Sequence, residues 1–495
     1  MAAFTLWFSR RIFEYDVFHL IQAFYPMSTA DIWYEGEKKP DGDRDADFSV
    51  DYTDDLVRFS CVTGKGESFG GEAPITDWND RHRTKNEVKS LVYQVLEEHT
   101  GRTLPWGDLT GIRPTKIVMK LSEEGRTEDE IRQDLKTEYF VSDEKISLAM
   151  ETVRREQKLM ADCHTVLSSP DGHRGYSLYV DVPFCPSICL YCTFGSHRLD
   201  AFRDFVKPYF DALYKELRYV GRAMNERDYR LDTIYIGGGT PTSIPPEQLR
   251  ELLGVLADNF DLDNLKEFTV EAGRPDTVSN EILAVLKEFP VTRISINPQT
   301  MVQKTLDIIG REHTTEQTID AFQRARKAGF DNINMDMIVG LPGEGEDEVR
   351  ETLDGISKLS PDSLTVHSLA LKRAARLNLF RDVYEPVSFE NSAKIMHLTE
   401  QTARDLGMTP YYLYRQKNMA GNFENVGYAR PGKACLYNVL IMEEVQTIMA
   451  CGSGASTKFV SDDGERIWRA ENVKDLKNYI DRIDEMILRK QNSFE

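Results

Sequence analysis

Between about Arg81 and Met160, apolar residues recur at three- and four-residue spacings. The segments are KNEVKSLVYQVLEEH, EDEIRQDLKTEYF and DEKISLAMETVRREQKLM, and this is the one-sided repeat of amphipathic helices. Ahead of them, AAFTLWFS, FSVDY and LVRFSCV read as short strands among helical stretches, and Gly36–Asp47 (GEKKPDGDRDAD) as a charged, turn-rich loop. The turn cluster Ser168–Ser177 (SSPDGHRGYS) predicts a domain boundary. From Leu178 the pattern changes, and β-rich runs alternate with longer helical ones. SLYVDV precedes a helix around Asp200–Ala223, DTIYIGG one around Glu247–Asn259, and EFTVEAG precedes NEILAVLKEF. VTRISINPQ precedes TEQTIDAFQRARKAG, NINMDMIVG precedes EDEVRETLDGISKL, and SLTVHSLAL precedes FENSAKIMHLTEQTARDLG. Alternation of this kind implies parallel strands joined by crossover helices. Six units predict an α/β fold built on a partial (β/α)6 barrel, with chemistry at the C-terminal strand ends. The reading has three parts: an N-terminal α+β/helical domain over 1–168, the barrel over 169–408, and a region over 409–495 that closes on it.

Length and charge narrow the class. At 495 residues, with 41% hydrophobic and 29% charged, the chain has ordinary globular usage, room for about three domains, and no collagenous or disordered bulk. Its 61 basic and 81 acidic residues leave −20, which argues against nucleic acid or an anionic membrane as a general partner. Apolar runs fall short of the ~20 residues of a membrane span. In MAAFTLWFSRRIFEYD the apolar run precedes the arginines, the wrong order for a signal peptide. A cytoplasmic protein is expected.

Seven cysteines, at 61, 163, 185, 189, 192, 435 and 451, are too sparse for a disulfide framework. Three of them form Cys185-Pro-Ser-Ile-Cys189-Leu-Tyr-Cys192 directly after the first barrel strand. Three thiolates on one loop hold three corners of a cubane iron–sulfur cluster and leave one iron open. Zinc would want a fourth ligand, for which His197 is the local choice; three inert core cysteines are the remaining reading. The other four cysteines read as buried hydrophobes, with Cys435 and Cys451 alternatively near the site.

This C-x3-C-x2-C, with Tyr191 before its last cysteine, resembles the radical S-adenosylmethionine (radical SAM) superfamily. YVDVPFCPSICLYCTF, GGGTPT, TVEA, RISINPQT, IGREH and NMDMIVGLPGE together resemble the oxygen-independent coproporphyrinogen III oxidase family over about residues 175–460. LPWGDLTGIRPTKI and YYLYRQKNMAGNFENVGYA resemble its longer HemZ-type subgroup. The resemblance implies a [4Fe–4S] cluster on Cys185, Cys189 and Cys192, with SAM as second cofactor. It implies SAM contacts at Gly237, Gly238, Gly239 and Thr240, where glycines allow close approach, and at Glu271, Gln299, Arg311 and Asp336. Carboxylates suit the ammonium and ribose of SAM and arginine its carboxylate; ordinary salt bridges are the alternative. Tyr179 matches a family tyrosine near the cluster, and Tyr179 and Arg311 are the catalytic candidates. Gly452–Ser456 resembles a glycine segment near the active site.

Two positions depart from the family: Asp181 stands where histidine is common, and Phe194 where the oxidase has a fourth cysteine, a feature shared with haem-chaperone relatives. A substrate with four propionates wants cations. The candidates are Lys372, Arg373 and Arg376, then Arg415 and Lys417, then Arg113 and Lys116. Tyr411, Tyr412 and Tyr414 read either as a ring-lining face or as core. The implied activity is oxidative decarboxylation of coproporphyrinogen III propionates to vinyl groups, with a flavodoxin- or ferredoxin-type electron donor. The alternatives are a haem carrier and another radical reaction on a tetrapyrrole, such as haem ring opening; an RNA-modifying enzyme would want a basic added domain.

Overall fold

The six predicted strand–helix units pair as expected. In the computed structural model, which describes residues 3–494 other than Met27, Ile112, Phe194, 371–390, Lys417 and Asn418, the chain folds as two units. One comprises Met1–Glu151 with Tyr414–Glu424, the other Thr152–Leu413 with Asn425–Glu495.

The first unit is built on a sheet of β1 (Ala3–Phe8), β2 (Thr29–Tyr34), β3 (Ala46–Tyr52), β4 (Leu56–Thr63) and β5 (Ser68–Pro74), in the order β2-β1-β3-β4-β5. β3 alternates buried and half-buried positions along its length, the period-2 signature of a strand with one face on a core. That face holds Phe48 and Val50 with Phe4, Leu6 and Phe59, and the helices Glu14–Phe24 and Arg81–Thr100 supply Leu20, Ile21, Val88, Val92 and Tyr93 to the same core. Three further helices follow, Thr115–Glu123, Glu128–Tyr139 and Asp143–Met160, the last of which continues past Glu151 into the second unit. The middle one starts at a capping box between Thr127 and Glu130, which satisfies two otherwise orphaned donors.

The second unit carries the six parallel strands. They are β6 (Gly175–Val182), then, after the two-residue strands β7 (Phe184–Cys185) and β8 (His197–Arg198), β9 (Arg230–Gly238), β10 (Glu267–Glu271), β11 (Arg293–Ser295), β12 (Ile333–Val339) and β13 (Ser363–Ser368). β6 and β12 are buried on all but one residue each, and β9 on six of nine, as expected of strands covered on both faces. The sheet does not close on itself. β14 (Thr409–Tyr414) and β15 (Asn425–Ala429) continue it beyond β13, where β15 is antiparallel. β16 (Thr447–Cys451), β17 (Ser456–Val460) and β18 (Ile467–Glu471) continue it beyond β6, where β16 is parallel. The C-terminal residues therefore extend both edges of the sheet. Two helices, Leu476–Asp481 and Ile483–Asn492, follow β18. Among the described residues, no helix is long and apolar enough to cross a membrane.

Parallel register sets what faces the barrel interior. Tyr179 lies beside Tyr235, Asp181 beside Gly237, Glu271 beside Ser295, and Asp336 beside Thr365. Because side chains alternate along a strand, Tyr179 and Asp181 point inward together; Asp181, Gly237 and Glu271 stand at the C-terminal ends of their strands, and Asp336 three residues before the end of β12.

Candidate functional site

The cysteine loop leaves β6 and is tied down at several points on one side. Leu190 donates its backbone N–H to Ile309 O at 2.9 Å, and its side chain packs with Leu306, Ile309, Ile338, Leu341 and Leu369. Ser187 donates to Gly310 O at 3.3 Å. The IGREH segment, Ile309–His313, is thus the shelf on which the loop rests. Cys185, Cys189 and Cys192 form no disulfide, and Cys189 is buried while the others are half-buried. Cys185 Sγ lies 3.3 Å from Thr240 Oγ1. Burial pushes its thiol up, while Thr240 and the charge of Arg274 pull it down. Among the described residues, no three His, Cys, Asp or Glu side chains form a group that would hold one metal ion. Thiolates of a cubane stand on separate irons and need no such convergence.

Arg311 is buried beside this loop. Its Nη1 lies 3.2 Å from Tyr191 OH and 4.0 Å from Cys189 Sγ, its Nη2 donates to Gly273 O and Asn297 O at 2.7 Å each, and its Nε lies 3.4 Å from His313 Nδ1. The guanidinium is engaged by protein on all three nitrogens, so its position here is that of a clamp between the cysteine loop and the ends of β10 and β11.

The GGGTPT segment packs against the start of the same loop. Gly239 and Thr240 donate backbone N–H groups to Val182 O and Phe184 O at 2.8 Å. A Cβ on Gly239 would meet Phe184 O at 2.6 Å, and Gly238 (φ +104°) faces the Asp181 carboxylate. Here the glycines serve close packing of two strand exits.

Three carboxyl groups converge at the barrel mouth. Glu271 accepts a short hydrogen bond from Tyr235 OH, and its pKa is pushed up to about 7, chiefly by burial. Asp181, 9% exposed, is pushed up to about 8, again chiefly by burial, with Tyr209 and Ser453 opposing. Asp336 behaves otherwise. Burial pushes it up, but His367, with Nε2 3.8 Å away, and Asn334, donating at 2.6 Å, hold it below its ordinary range. Gln299 donates its backbone N–H to Asp336 O at 3.0 Å, sits at φ +66°, and leaves its buried Oε1 without a hydrogen-bond partner. Tyr179 is stacked with Tyr235 and Tyr437 at 6.2 Å centroid distances, and those two stack at 4.6 Å. The structure therefore gathers Tyr179, Glu271, Gln299, Arg311, Asp336 and the glycine segment around the strand ends that carry the cysteines.

The substrate-side candidates fare differently. Arg415 is buried; its Nη1 donates to Leu109 O at 2.5 Å and its Nη2 to Asn422 Oδ1 at 2.6 Å. It is a structural bolt rather than a cation open to propionates. Tyr411 and Tyr412 are buried in β14, with Tyr412 against Gly427, so they are core. Arg113 is half-buried and Lys116 exposed. Lys372, Arg373, Arg376, Lys417 and Phe194 lie outside the described residues. Cys61, Cys163, Cys435 and Cys451 are buried. Gly452 and Ser453 do reach the site, since Ser453 Oγ lies 3.5 Å from Asp181 Oδ2. The sequence reading passed over Arg274 and Asp276, which lie three and five residues beyond Glu271. The RPD run carried no recognisable spacing, and only the fold brings it to the cysteine loop.

Residues 179–356 match the model of the radical SAM superfamily. Over 472 residues the chain is 40% identical to the oxygen-independent coproporphyrinogen-III oxidase-like protein HemZ of Bacillus subtilis, covering 92% of each chain. It is 37% identical to the haem chaperone HemW of Lactococcus lactis over 40% of this chain and 49% of that one. The structure of coproporphyrinogen III oxidase (HemN) of Escherichia coli, a radical SAM enzyme, superposes with a TM-score of 0.51 at 24% identity, covering 67% of this chain and 72% of that one.

Proposed function

From the premise that the chain belongs to the oxygen-independent coproporphyrinogen-III oxidase-like family of the radical SAM superfamily, we propose that it oxidatively decarboxylates coproporphyrinogen III. The superfamily's cofactors are a [4Fe–4S] cluster and S-adenosylmethionine, which when bound supply one-electron, hydrogen-abstracting chemistry. Cys185, Cys189 and Cys192 would hold the cluster. The loop suits it: three cysteines outside any disulfide on one shelved arch, with a guanidinium beside Cys189.

The observation that carries the reading is the trio of inward carboxyl groups at the strand ends. Asp181 and Glu271 are driven toward their neutral forms by burial, and a carboxyl site of that kind gains most from a cationic ligand. SAM brings two cationic centres, its ammonium and its sulfonium. Gln299 Oε1 adds an unmet acceptor on the same rim. Glu271, Asp336 and Gln299 would orient SAM, Tyr179 would wall the mouth, and the strand ends would exclude water. Arg311 would hold the cysteine loop in register.

The substrate assignment draws on the near full-length similarity to the oxidase-like relative. Each reacting propionate would lose a hydrogen atom, CO2 and one electron to become vinyl, and two such events give protoporphyrinogen IX. A low-potential flavodoxin or ferredoxin in the cytoplasm would be the electron source. Haem carriage is the second reading, favoured by similarity to HemW.

One anaerobic experiment separates them. The cluster is reconstituted, and SAM, reductant and coproporphyrinogen III are added. 5′-Deoxyadenosine and porphyrin masses are then followed together. Substrate-dependent 5′-deoxyadenosine with stepwise loss of two CO2 is expected. Unchanged coproporphyrinogen alongside stoichiometric haem binding would overturn the assignment in favour of carriage.

A further inference from the structure

We propose that Arg274, backed by Asp276, is a positioning residue for the cysteine loop that also sets the reduction potential of the cluster held there; this rests on the cluster reading above.

Arg274 follows the end of β10 and is 2% exposed. Its Nη1 donates to Ser187 Oγ at 2.7 Å. Ser187 is itself buried, two residues from Cys185 and two from Cys189, at the crown of the arch between the two ligands. The far side of the guanidinium is a two-pronged pair with Asp276: Nε to Oδ1 and Nη2 to Oδ2, each 2.9 Å. Fork-to-carboxylate pairing fixes the plane of the guanidinium. Burial pushes the Asp276 carboxyl up, but Arg274 more than compensates and holds it below its ordinary range, so the pair is ionised.

The pair is oriented, with the positive end facing the loop and the negative end facing away. A reduced cluster carries one more negative charge than an oxidised one. Fixed positive charge nearby therefore favours the reduced form, and hydrogen bonding and net charge are the protein's levers on iron–sulfur potentials. Because Arg274 is buried, its field is weakly screened. Arg311, at Cys189 on the same side of the loop, is held by neutral groups (Tyr191 OH, two carbonyls and His313). Arg274 alone of these two has a carboxylate partner in a two-pronged pair, which makes its influence adjustable in both directions.

The test is an EPR-monitored redox titration of the reconstituted full-length protein without substrate, with iron content measured on the same samples. R274Q leaves the Asp276 charge bare and should lower the potential. D276N removes the opposing charge and should raise it. At a fixed poise near the midpoint, each is expected to change the reduced-to-oxidised ratio about tenfold, which is ~59 mV for a one-electron couple. A purely mechanical role predicts loss of iron with no opposed shifts. Unchanged potentials at full iron content, or shifts of the same sign in both variants, would overturn the proposal. If R274Q does not retain iron, R274K keeps the charge and D276N keeps the arginine; a wild-type potential in D276N then overturns it. A wild-type chain that takes up no cluster overturns the cluster reading itself, and this proposal with it.

Discussion

A Cβ on Gly238 would stand 2.1 Å from the Asp181 Oδ1 atom. The aspartate on β6 and the glycine ending β9 therefore share one space, and the carboxylate fits only because residue 238 has no side chain. Gly452 approaches from the other side, where a Cβ would lie 2.6 Å from both Asp181 Cβ and Tyr209 OH. Asp181 is cased by two glycines at positive φ, +104° and +113°.

G238A therefore costs twice, once for a left-handed backbone, about 1–2 kcal/mol, and once for overpacking, about 1–3 kcal/mol. A clear fall in the urea midpoint is expected. Shortening the neighbour removes only the second cost, so D181A/G238A should recover part of the loss relative to the sum of the single variants. Strict additivity would mean that the two residues do not compete for space.

The pH dependence of stability follows from the raised pKa values of Asp181, about 8, and Glu271, about 7. An unfolded carboxyl titrates near 4. Below that pH both states are protonated and neither group affects stability. Between about pH 4 and 8 the unfolded chain is ionised while the folded one retains its protons, so stability falls as pH rises. D181N carries no titratable group and should flatten this decline, gaining on the order of 3 kcal/mol at pH 7. Parallel pH–stability curves for wild type and D181N would refute the assignment.

A buried ion pair locks the C-terminal helix. Glu216 accepts from Gly452 N–H at 2.9 Å, Asn472 Nδ2 at 2.8 Å, Tyr479 OH at 2.6 Å and Lys490 Nζ at 2.7 Å, with Lys490 and Glu216 both essentially unexposed. Removing one partner strands the other charge, a cost of about 3–5 kcal/mol, whereas an apolar replacement of both is often tolerated. K490M should destabilise by that order, and E216L/K490M should destabilise by less than either single change. Because Gly452 lies against Asp181, K490M should also weaken SAM binding although Lys490 makes no part of the rim.

The cysteine scan is expected to divide cleanly. C185A, C189A and C192A should each fail to retain iron after reconstitution, while C61A and C163A should retain the wild-type complement. The latter two thiols are buried, and burial pushes both pKa values up to about 12, which disfavours the thiolate that ligation needs. Iron retention in C189A, or its loss in C163A, would reassign the ligand set.

Strands covered on both faces, such as DTIYIGG and NINMDMIVG, announced themselves because most of their residues had to be apolar or small, with Asp336 a polar exception that faces the site. β5, SFGGEAP, did not, since it lies at a sheet edge with exposure alternating and little apolar signal. The cysteine spacing was local and therefore readable. Arg415 was misread as a cation for substrate because its partner, Leu109 O, lies 306 residues away. Arg274 was passed over for the same reason: its meaning depends on Ser187, 87 residues earlier. Local spacing exposes a clustered motif, whereas burial of a charged side chain is decided by contacts that only the fold supplies.

Gln299 offers a prediction in which stability and binding move apart. Its Oε1 is buried and unpaired, and an unmet buried acceptor costs about 1–3 kcal/mol in the folded protein. Q299M keeps the length and removes that polar atom, so the variant should unfold at the same denaturant concentration as wild type or a higher one. If the oxygen exists to meet SAM, the same change should weaken SAM binding by about ten- to a hundredfold, the worth of one hydrogen bond to a charged group. Equilibrium binding of SAM to reconstituted Q299M, set beside its urea midpoint, gives both readings from one preparation. Unaltered affinity with a higher midpoint would make Gln299 a strained residue with no ligand. A lower midpoint would show that its side chain is satisfied in solution and that the binding argument built on it is wrong.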